Sequence, residues 1–420
     1  MMLRVVLPLL IGSAVPIWAQ SAGIAPAINQ LGLDLVRAQS AGSVDTNLLL
    51  SPYSIESALT MAWAGADGRT REEMRRVLHL AGGDTAVVDG LAALTRQLAE
   101  VQAASRRRAE AARRHGSPGT PVELNVANRL FAQSGFALRP AFTGLLRDRF
   151  GAPLEELDFA RAAEPARVAI NQWVAKETRD RIRDIVPQGA LNADTRAVLA
   201  NAIYLKAPWK DPFTAEATTN GPFWVRGATA ADVPMMQQLQ GYRYEKHGGF
   251  TALALPYEGG ELQFLILLPD QRDGLAQMEK KVTPELLAGC VKMPWRAVIL
   301  HLPRFKLEPP STPLGTLLRG LGMTTAFDQP PGSANFDRMA PHRADAYLYL
   351  SEVFHQTWLA LDEHGTEAAA ATVAVIALSA ARPGNVLSPV EVRVDHPFVF
   401  AIQHVASGTC LFIGRVNDPR

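Results

Sequence analysis

In the first half of the chain, apolar residues recur at the three-to-four-residue spacing of an amphipathic helix. This spacing predicts helices over residues 54–64, 71–80, 87–104 and 169–186. Ser51 and Pro52 precede the first of them and form a helix start signal, because serine caps a helix and proline suits its first turn. The Arg-rich stretch from Ser105 to Pro121 ends in Gly-Ser-Pro-Gly, and we interpret it as a flexible insertion.

The second half changes to the short apolar runs that are typical of β-strands. Ala197–Tyr204 is apolar throughout, as a strand that is covered on both faces requires. Further strands are predicted over 251–256, 262–268, 298–305, 348–361, 390–394, 398–404 and 409–416, and a short helix over 314–321. Helices early and strands late, with long-range pairing between them, predict an α+β fold.

The N-terminus has the pattern of a secretory signal peptide over residues 1–21. Arg4 supplies a positive charge, and the uncharged apolar stretch 5–19 is shorter than the roughly 20 residues that a membrane span needs. A buried N-terminal helix is the alternative, but Pro8 and Pro16 disfavour it. We therefore expect a secreted protein, in the extracellular space or the periplasm.

Composition narrows the classes of partner. The 42 Lys and Arg residues nearly cancel the 41 Asp and Glu residues, so charge gives no reason to expect nucleic acid or a membrane surface as a partner. No Cys or His cluster has zinc spacing, and we expect no metal or other cofactor. Cys290 and Cys410 lie in apolar stretches that suit buried free thiols, although an oxidising compartment would also permit a bridge between them.

A series of short motifs runs in order along nearly the whole mature chain. The motifs are NLLLSPYSIESA at 47–58, NVANRLF at 125–131, LANAIYLKAPWKDPF at 199–213, LPY at 255–257, LP at 268–269, LPRF at 302–305, DEHGTEAAAAT at 362–372, HPF at 396–398 and FIGRV at 412–416. Together they resemble the serpin family. The resemblance implies a serpin fold: a large central, mainly antiparallel sheet, further sheets, about eight to nine helices and an exposed reactive loop. It implies a single serpin domain over 22–420 with the reactive loop at about 363–390.

The segment Gly365–Ala377 has the composition of a strand that can be inserted into a sheet. In a strand, one of its faces would carry only small or β-branched uncharged residues, namely Thr366, Ala368, Ala370, Thr372, Ala374 and Ile376. It also contains no proline, so every backbone N–H can join a ladder. An ordinary buried strand and an alanine-rich helix are the alternatives. By resemblance, the family's hinge corresponds to Gly365, Thr366, Glu367, Ala368, Ala369, Ala370, Ala371 and Thr372.

The resemblance implies an irreversible inhibitor of an extracellular serine protease, which is not itself an enzyme. The protease would cleave the loop and form an acyl-enzyme, and the freed arm would insert into the main sheet and trap it. A non-inhibitory binding or carrier serpin, and a cross-class inhibitor of a papain-like cysteine protease, are the alternative functions. We expect a monomer that forms a covalent complex with its protease.

Family spacing from Gly365 places the cleaved bond at Ser379–Ala380, or one residue earlier at Leu378–Ser379. Small and aliphatic residues surround both positions, which suits an elastase-like or subtilisin-like protease. Counting back from the strand that precedes the HPF motif instead places the bond near 386–387. The loop is therefore about seven residues longer than is usual in the family.

Two further groups of residues are carried over from the family. The sheet-opening network corresponds to Ser51, Ser54, Asn201 and His355, and such buried polar residues can form a hydrogen-bonded network. Where the loop enters the sheet, the family has an ion pair beside a tryptophan, which corresponds to Arg304, Glu363 and Trp209. A hydrolase is the competing interpretation of Ser and His, but the chain has no Gly-x-Ser-x-Gly motif.

The strongest charge cluster consists of Arg106, Arg107, Arg108, Arg113 and Arg114. It lies near the helix that some serpins use to bind sulfated polysaccharides, so a sulfated polysaccharide or another polyanion is a candidate partner. A solvated basic helix end or loop is the alternative interpretation.

Overall fold

Two β-sheets with helices packed around them make up the part of the chain that the structure describes. The structure, a computed structural model, describes residues 23–40, 45–117, 119–343, 346–367 and 388–420. The predicted signal peptide lies outside the described residues. Among the described helices, none is both long enough and apolar enough to cross a membrane.

The described helices agree with the predicted order and differ in their bounds. They are α1 (Ala25–Ser40), α2 (Pro52–Gly65), α3 (Gly68–Val77), α4 (Asp84–Arg114), α5 (Pro140–Leu145), α6 (Phe159–Glu177), α7 (Leu275–Lys281), α8 (Pro284–Gly289) and α9 (Gly315–Gly320). The Ser51 hydroxyl caps α2 by accepting the Ser54 N–H at 3.2 Å, and Pro52 occupies the first turn.

The strands fall into two groups, in the first and second halves of the chain. The first group is β1 (Leu48–Leu50), β2 (Glu123–Gln133), β3 (Glu155–Leu157), β4 (Ala197–Pro208), β5 (Thr219–Val225), β6 (Thr229–His247), β7 (Phe250–Pro256) and β8 (Leu262–Pro269). The second is β9 (Trp295–Pro303), β10 (Phe305–Leu307), β11 (Thr312–Pro313), β12 (Leu350–Asp362), β13 (Gly365–Thr366), β14 (Val390–Arg393), β15 (Phe398–His404) and β16 (Thr409–Val416).

One sheet has the order β10-β12-β13-β4-β2-β3, with β11 paired to β12. Its central strands β4 and β12 run parallel and pair directly from Ala197 and Leu350 to Tyr204 and Trp358. Beyond Trp358 the two strands separate, and the two-residue β13 fits between them, antiparallel to both. The sheet is therefore open at one end and closed along the rest of its length.

The other sheet has the order β1-β16-β15-β8-β7-β6-β9-β14, with β5 paired to β6. Its apolar strands, such as Leu262–Pro269 and Thr409–Val416, are buried along their whole length. A separate apolar cluster lies between α6 and the β4–β12 face, with Ile170 and Val174 against Ala202 and Tyr204. Helix α2 packs on β2 and β4. The two halves of the chain thus meet along the central strands.

Two predictions about local structure were wrong. The Arg-rich stretch after Ser105 is not a flexible insertion, because α4 continues through it to Arg114. The helix predicted over 169–186 ends at Glu177, since Arg179 and Asp180 adopt positive φ angles of 51° and 61° that a helix does not allow.

The two cysteines are buried and free. Burial raises the pKa of both thiols to about 12, so neither is a thiolate near neutral pH. Among the described residues, no group of three His, Cys, Asp or Glu side chains comes together as a metal-binding cluster.

Candidate functional site at the open end of the sheet

The hinge begins inside the sheet. Gly365 pairs with Pro208 on β4 and with Asp362 on β12, and Thr366 pairs with Ala207 and Leu361. Gly365 has a φ angle of 148°, and a Cβ there would collide with the backbone of Ala207. Only glycine fits this close approach. The chain therefore needs glycine at the point where the segment enters the sheet.

The Thr366 side chain points into the core and is fully buried. Its hydroxyl lies 2.6 Å from the hydroxyl of Tyr257, so each buried polar group has a partner. The ring of Tyr257 stacks on Trp209 with 4.6 Å between centroids. The Trp209 indole N–H donates to the Asp362 carbonyl at 3.0 Å. Trp209 thus lies beside the hinge, where the sequence predicted it, and supports it through Tyr257.

Glu363 is held by contacts on two sides. Its carboxylate accepts the Thr218 hydroxyl at 2.8 Å and lies 3.6 Å from the guanidinium of Arg304. Burial opposes ionisation of Glu363, but hydrogen bonds from its own N–H and from Thr218, with the Arg304 charge, outweigh burial and keep its pKa below the usual value. The Arg304 side chain is half exposed, so the ion pair alone stabilises by about 1 kcal/mol or less.

Glu367 ends the inserted segment. Its N–H donates to the Ala360 carbonyl at 2.9 Å, and its φ angle of 46° lies in the left-handed region that costs energy for a non-glycine residue. Its carboxylate forms an ion pair with Arg181, which also lies over the ring of Trp358 at 5.0 Å. Arg181 therefore holds the hinge in its bent conformation, a role that the sequence analysis did not assign to it.

Replacing Arg181 with alanine is expected to loosen the inserted hinge. The pair is partly exposed and contributes about 1 kcal/mol or less, so hydrogen exchange at the Glu367 amide should rise about two- to fivefold. Arg183→Ala is the matched control, because Arg183 is a neighbouring exposed arginine that pairs with Asp180. Equal exchange rates in both variants would show that Arg181 does not hold the hinge.

The structure brings Ser51, Ser54, Asn201 and His355 together beneath the sheet. Asn201 and His355 are direct neighbours across the β4–β12 ladder. The Asn201 amide donates to the Ser54 hydroxyl at 2.6 Å, and Asn201 and His355 are also hydrogen-bonded to each other. All four residues are buried. The network therefore joins helix α2 to both central strands at the place where they must separate if another strand is added.

The sequence analysis missed one member of this network, Asn128 on β2. It accepts the Ser54 hydroxyl at 2.9 Å and donates to the Ser54 carbonyl at 3.1 Å, and it also accepts from Asn201. The signal that could have found it is register, because Asn128 pairs directly with Asn201 across the β2–β4 ladder. Two asparagines at the centre of neighbouring apolar strands indicate a shared buried network.

His355 is neutral in this network. Burial lowers its pKa to about 3. Its Nε2 accepts the Ser51 backbone N–H at 3.2 Å, so the ring proton is on Nδ1 and is donated to the Asn201 side-chain oxygen. Both ring nitrogens are therefore used, and no nitrogen is free to act as a base on a serine hydroxyl. The Ser51 hydroxyl instead donates to the Leu411 carbonyl at 2.6 Å.

The arginine cluster lies on the last turns of helix α4. Arg106, Arg107, Arg113 and Arg114 are exposed. Arg108 differs, because its guanidinium binds both Glu258 at 3.1 Å and Glu261 at 2.8 Å. Four of the five predicted arginines thus present their charge to solvent, and Arg108 fastens the helix to the β7–β8 turn.

Part of the predicted site lies outside the described residues. This holds for hinge residues Ala368, Ala369, Ala370, Ala371 and Thr372 and for the bond positions Leu378, Ser379 and Ala380. The described chain resumes at residue 388, shortly before β14, which pairs in parallel with β9.

Comparison with known proteins gives a consistent result. The family described as serpin (serine protease inhibitor) matches residues 26–419. An uncharacterised serpin-like protein of Thermococcus kodakarensis is 36% identical over 409 residues, which are 96% of this chain and 87% of that protein. Leukocyte elastase inhibitors of Xenopus tropicalis and Homo sapiens are 34% and 33% identical, and each match covers 94% of this chain and 99% of the relative.

Among solved structures, that of uncleaved ovalbumin is similar to this chain. The TM-score is 0.78 at 28% sequence identity, over 94% of this chain and 100% of ovalbumin. The two sheets, the helices around them and the strand order described above thus recur in a solved relative.

Proposed function

This chain belongs to the serpin family, and from that premise we propose that it is a single-use inhibitor of a serine protease and not an enzyme. The protease cleaves the reactive loop and is held as an acyl-enzyme, in which its serine oxygen is bonded to the carbonyl carbon of the residue before the cleaved bond. The loop arm then adds to the sheet between β4 and β12 and prevents water from completing hydrolysis.

The observation that carries this proposal is the position of β13. It lies between β4 and β12 and is hydrogen-bonded to both, so it is the first pair of residues of a strand that the sheet can extend. A continuing strand would replace the direct β4–β12 pairing with two antiparallel ladders, which bond slightly better per residue than a parallel one. Adding the strand therefore stabilises the molecule.

The register of β13 supports a specific end point. Continuing the pairing of Thr366 with Ala207 and Leu361 for six residues brings Thr372 level with Asn201 and His355. Six residues are an even number, so the Thr372 side chain would face the core as Thr366 does. Its hydroxyl would then lie among the polar groups of the buried network, which can satisfy it.

The loop sequence supports a protease of elastase-like or subtilisin-like preference. We propose Ser379–Ala380 as the cleaved bond, with Leu378–Ser379 as the neighbouring choice, because both are small or aliphatic. Relatives that are named leukocyte elastase inhibitors favour the same class of protease.

The test is incubation with pancreatic elastase, subtilisin, chymotrypsin and trypsin, followed by denaturing electrophoresis and mass spectrometry of the released C-terminal peptide. We expect an SDS-stable complex with elastase or subtilisin and a peptide that begins at Ala380 or Ser379. Clean cleavage by all four proteases without a complex would contradict the proposal and would favour a non-inhibitory serpin.

We also propose that the protein is exported and meets its protease outside the cytoplasm. The charged start and the apolar stretch that follows it in residues 1–21 support export. Mass spectrometry of the protein recovered from its native source should give a mature N-terminus near residue 22. An intact Met1 on the recovered protein would contradict export.

Four exposed arginines on helix α4 support a polyanion as a second partner. Replacing Arg106, Arg107, Arg113 and Arg114 with serine is expected to weaken binding to a sulfated polysaccharide roughly tenfold at low salt, and less at high salt because exposed charges are screened. Arg147→Ser is the control, since Arg147 is an exposed arginine that pairs with Asp148 elsewhere. Affinity chromatography at several salt concentrations measures the effect, and equal elution of both variants would contradict it.

A further inference from the structure

A cavity lies beside the turn between β7 and β8. Its volume is about 210 Å³, and its wall includes Lys210, Arg243, Pro256, Gly260 and Trp295. Gly260 has open space where a side chain would project, so the turn does not obstruct the cavity. The cavity is separate from the reactive loop and from the network under the sheet.

The charges around this cavity leave it positive. Among the described residues, Lys210 and Arg243 have no carboxylate partner; the Arg243 guanidinium instead donates to the Met293 carbonyl at 2.8 Å. The acidic residues of the adjacent turn, Glu258 and Glu261, are both bonded to Arg108. Their charge is compensated within the protein, so the two cations of the cavity wall remain available to an anion.

Trp295 gives the cavity an aromatic wall. Its side chain is 52% exposed, which is unusual for the largest apolar side chain. The Arg243 guanidinium lies 5.1 Å from the centre of its ring, a cation–π distance that holds both side chains in place. An exposed aromatic face fixed beside two unpaired cations can bind a ring and an anion together.

We propose that this cavity binds a small aromatic carboxylate, in which the ring packs on Trp295 and the carboxylate binds Lys210 and Arg243. The size agrees with this ligand, because a cavity of about 150 Å³ holds a benzene ring and the present one is larger at about 210 Å³. A neutral aromatic would leave both cations unpaired, and a simple inorganic anion would leave Trp295 exposed. The site adds ligand binding to the inhibitory function and does not depend on it.

Fluorine NMR titration with 4-fluorophenylacetate tests the site in the full-length protein. We expect a Kd of about 1–10 mM for a ligand of this size. The neutral isostere 4-fluorophenylacetamide should bind at least about fivefold more weakly, because it has no charge for Lys210 and Arg243. Lys210→Met and Trp295→Leu should each weaken binding of the carboxylate about three- to tenfold.

The chain offers a matched control. Arg272 lies over the ring of Trp224 at 3.9 Å, a second arginine–tryptophan pair that is not part of the cavity wall, so Arg272→Met should leave binding unchanged. Thermal unfolding of each variant shows that it is folded. Equal binding of the amide and the carboxylate, or wild-type affinity in both the Lys210 and Trp295 variants, would overturn the proposed site.

Discussion

Thr372→Arg is expected to turn this protein from an inhibitor of its protease into a substrate. If the cleaved loop continues the register of β13, residue 372 arrives between Asn201 and His355 with its side chain facing the core. A guanidinium there would be buried without a carboxylate partner, which costs several kcal/mol. Insertion should then stop before the protease is trapped, and the yield of SDS-stable complex should drop at least about a hundredfold while cleavage of the loop continues.

The matched control for this variant carries the same substitution in a part of the loop that does not insert. Asn385→Arg lies beyond the proposed cleaved bond, and we expect the yield of complex to stay within about threefold of the unmodified protein. Stopped assays that count cleaved and complexed molecules measure both variants. A normal yield of complex from Thr372→Arg would show that residue 372 does not enter the sheet in this register.

Acid should destabilise the closed sheet through His355. Its pKa is about 3 in the folded protein and about 6.5 in an unfolded chain, so the unfolded state binds a proton more readily. The contribution of neutral His355 to stability is therefore fully present above pH 6.5 and is lost as the pH decreases toward 3. Between pH 7 and pH 5 the expected loss of unfolding free energy is about 2 kcal/mol.

The comparison with His355→Gln isolates this effect. Glutamine keeps one donor and one acceptor but does not titrate, so its loss of stability between pH 7 and pH 5 should be smaller by about 2 kcal/mol. Buried His404, whose pKa is lowered to about 4, titrates in both proteins and cancels in the difference. Urea unfolding at the two pH values measures the difference, and identical losses in both proteins would refute the assignment.

The strand end of the molecule follows from the sequence because its strands are buried on both faces. Phe398–His404 and Thr409–Val416 have the bounds that their apolar runs predict. Strand β6, Thr229–His247, was missed because exposed positions alternate with buried ones along much of its length, and glutamines there obscure the pattern. A strand with one wet face resembles a loop when its apolar residues are few.

The arginine cluster shows why local composition alone misled. Arginine, alanine and glutamate favour helix, but the stretch has few apolar residues and ends in glycine and proline, which indicated a loop. Its helical conformation is supported from outside the segment, because Arg108 binds Glu258 and Glu261. These carboxylates lie some 150 residues away in sequence, and no local pattern reports such a contact.

The candidate site divides in the same way. Resemblance gave Ser51, Ser54, Asn201 and His355, and the structure brings them together. Arg181 and Asn128 were not found, since their roles depend on which strand lies beside which. Arg181 contacts Glu367 only because α6 ends early and the chain after it crosses the open end of the sheet.

The crystal structure of this protein after cleavage in its loop is the most direct test of the account. We predict that residues 367–378 form a strand between β4 and β12, that Thr372 lies between Asn201 and His355, and that these two residues are no longer neighbours. A cleaved protein in which Asn201 still pairs with His355, and β13 still ends at Thr366, would contradict insertion and with it the proposed mechanism of inhibition.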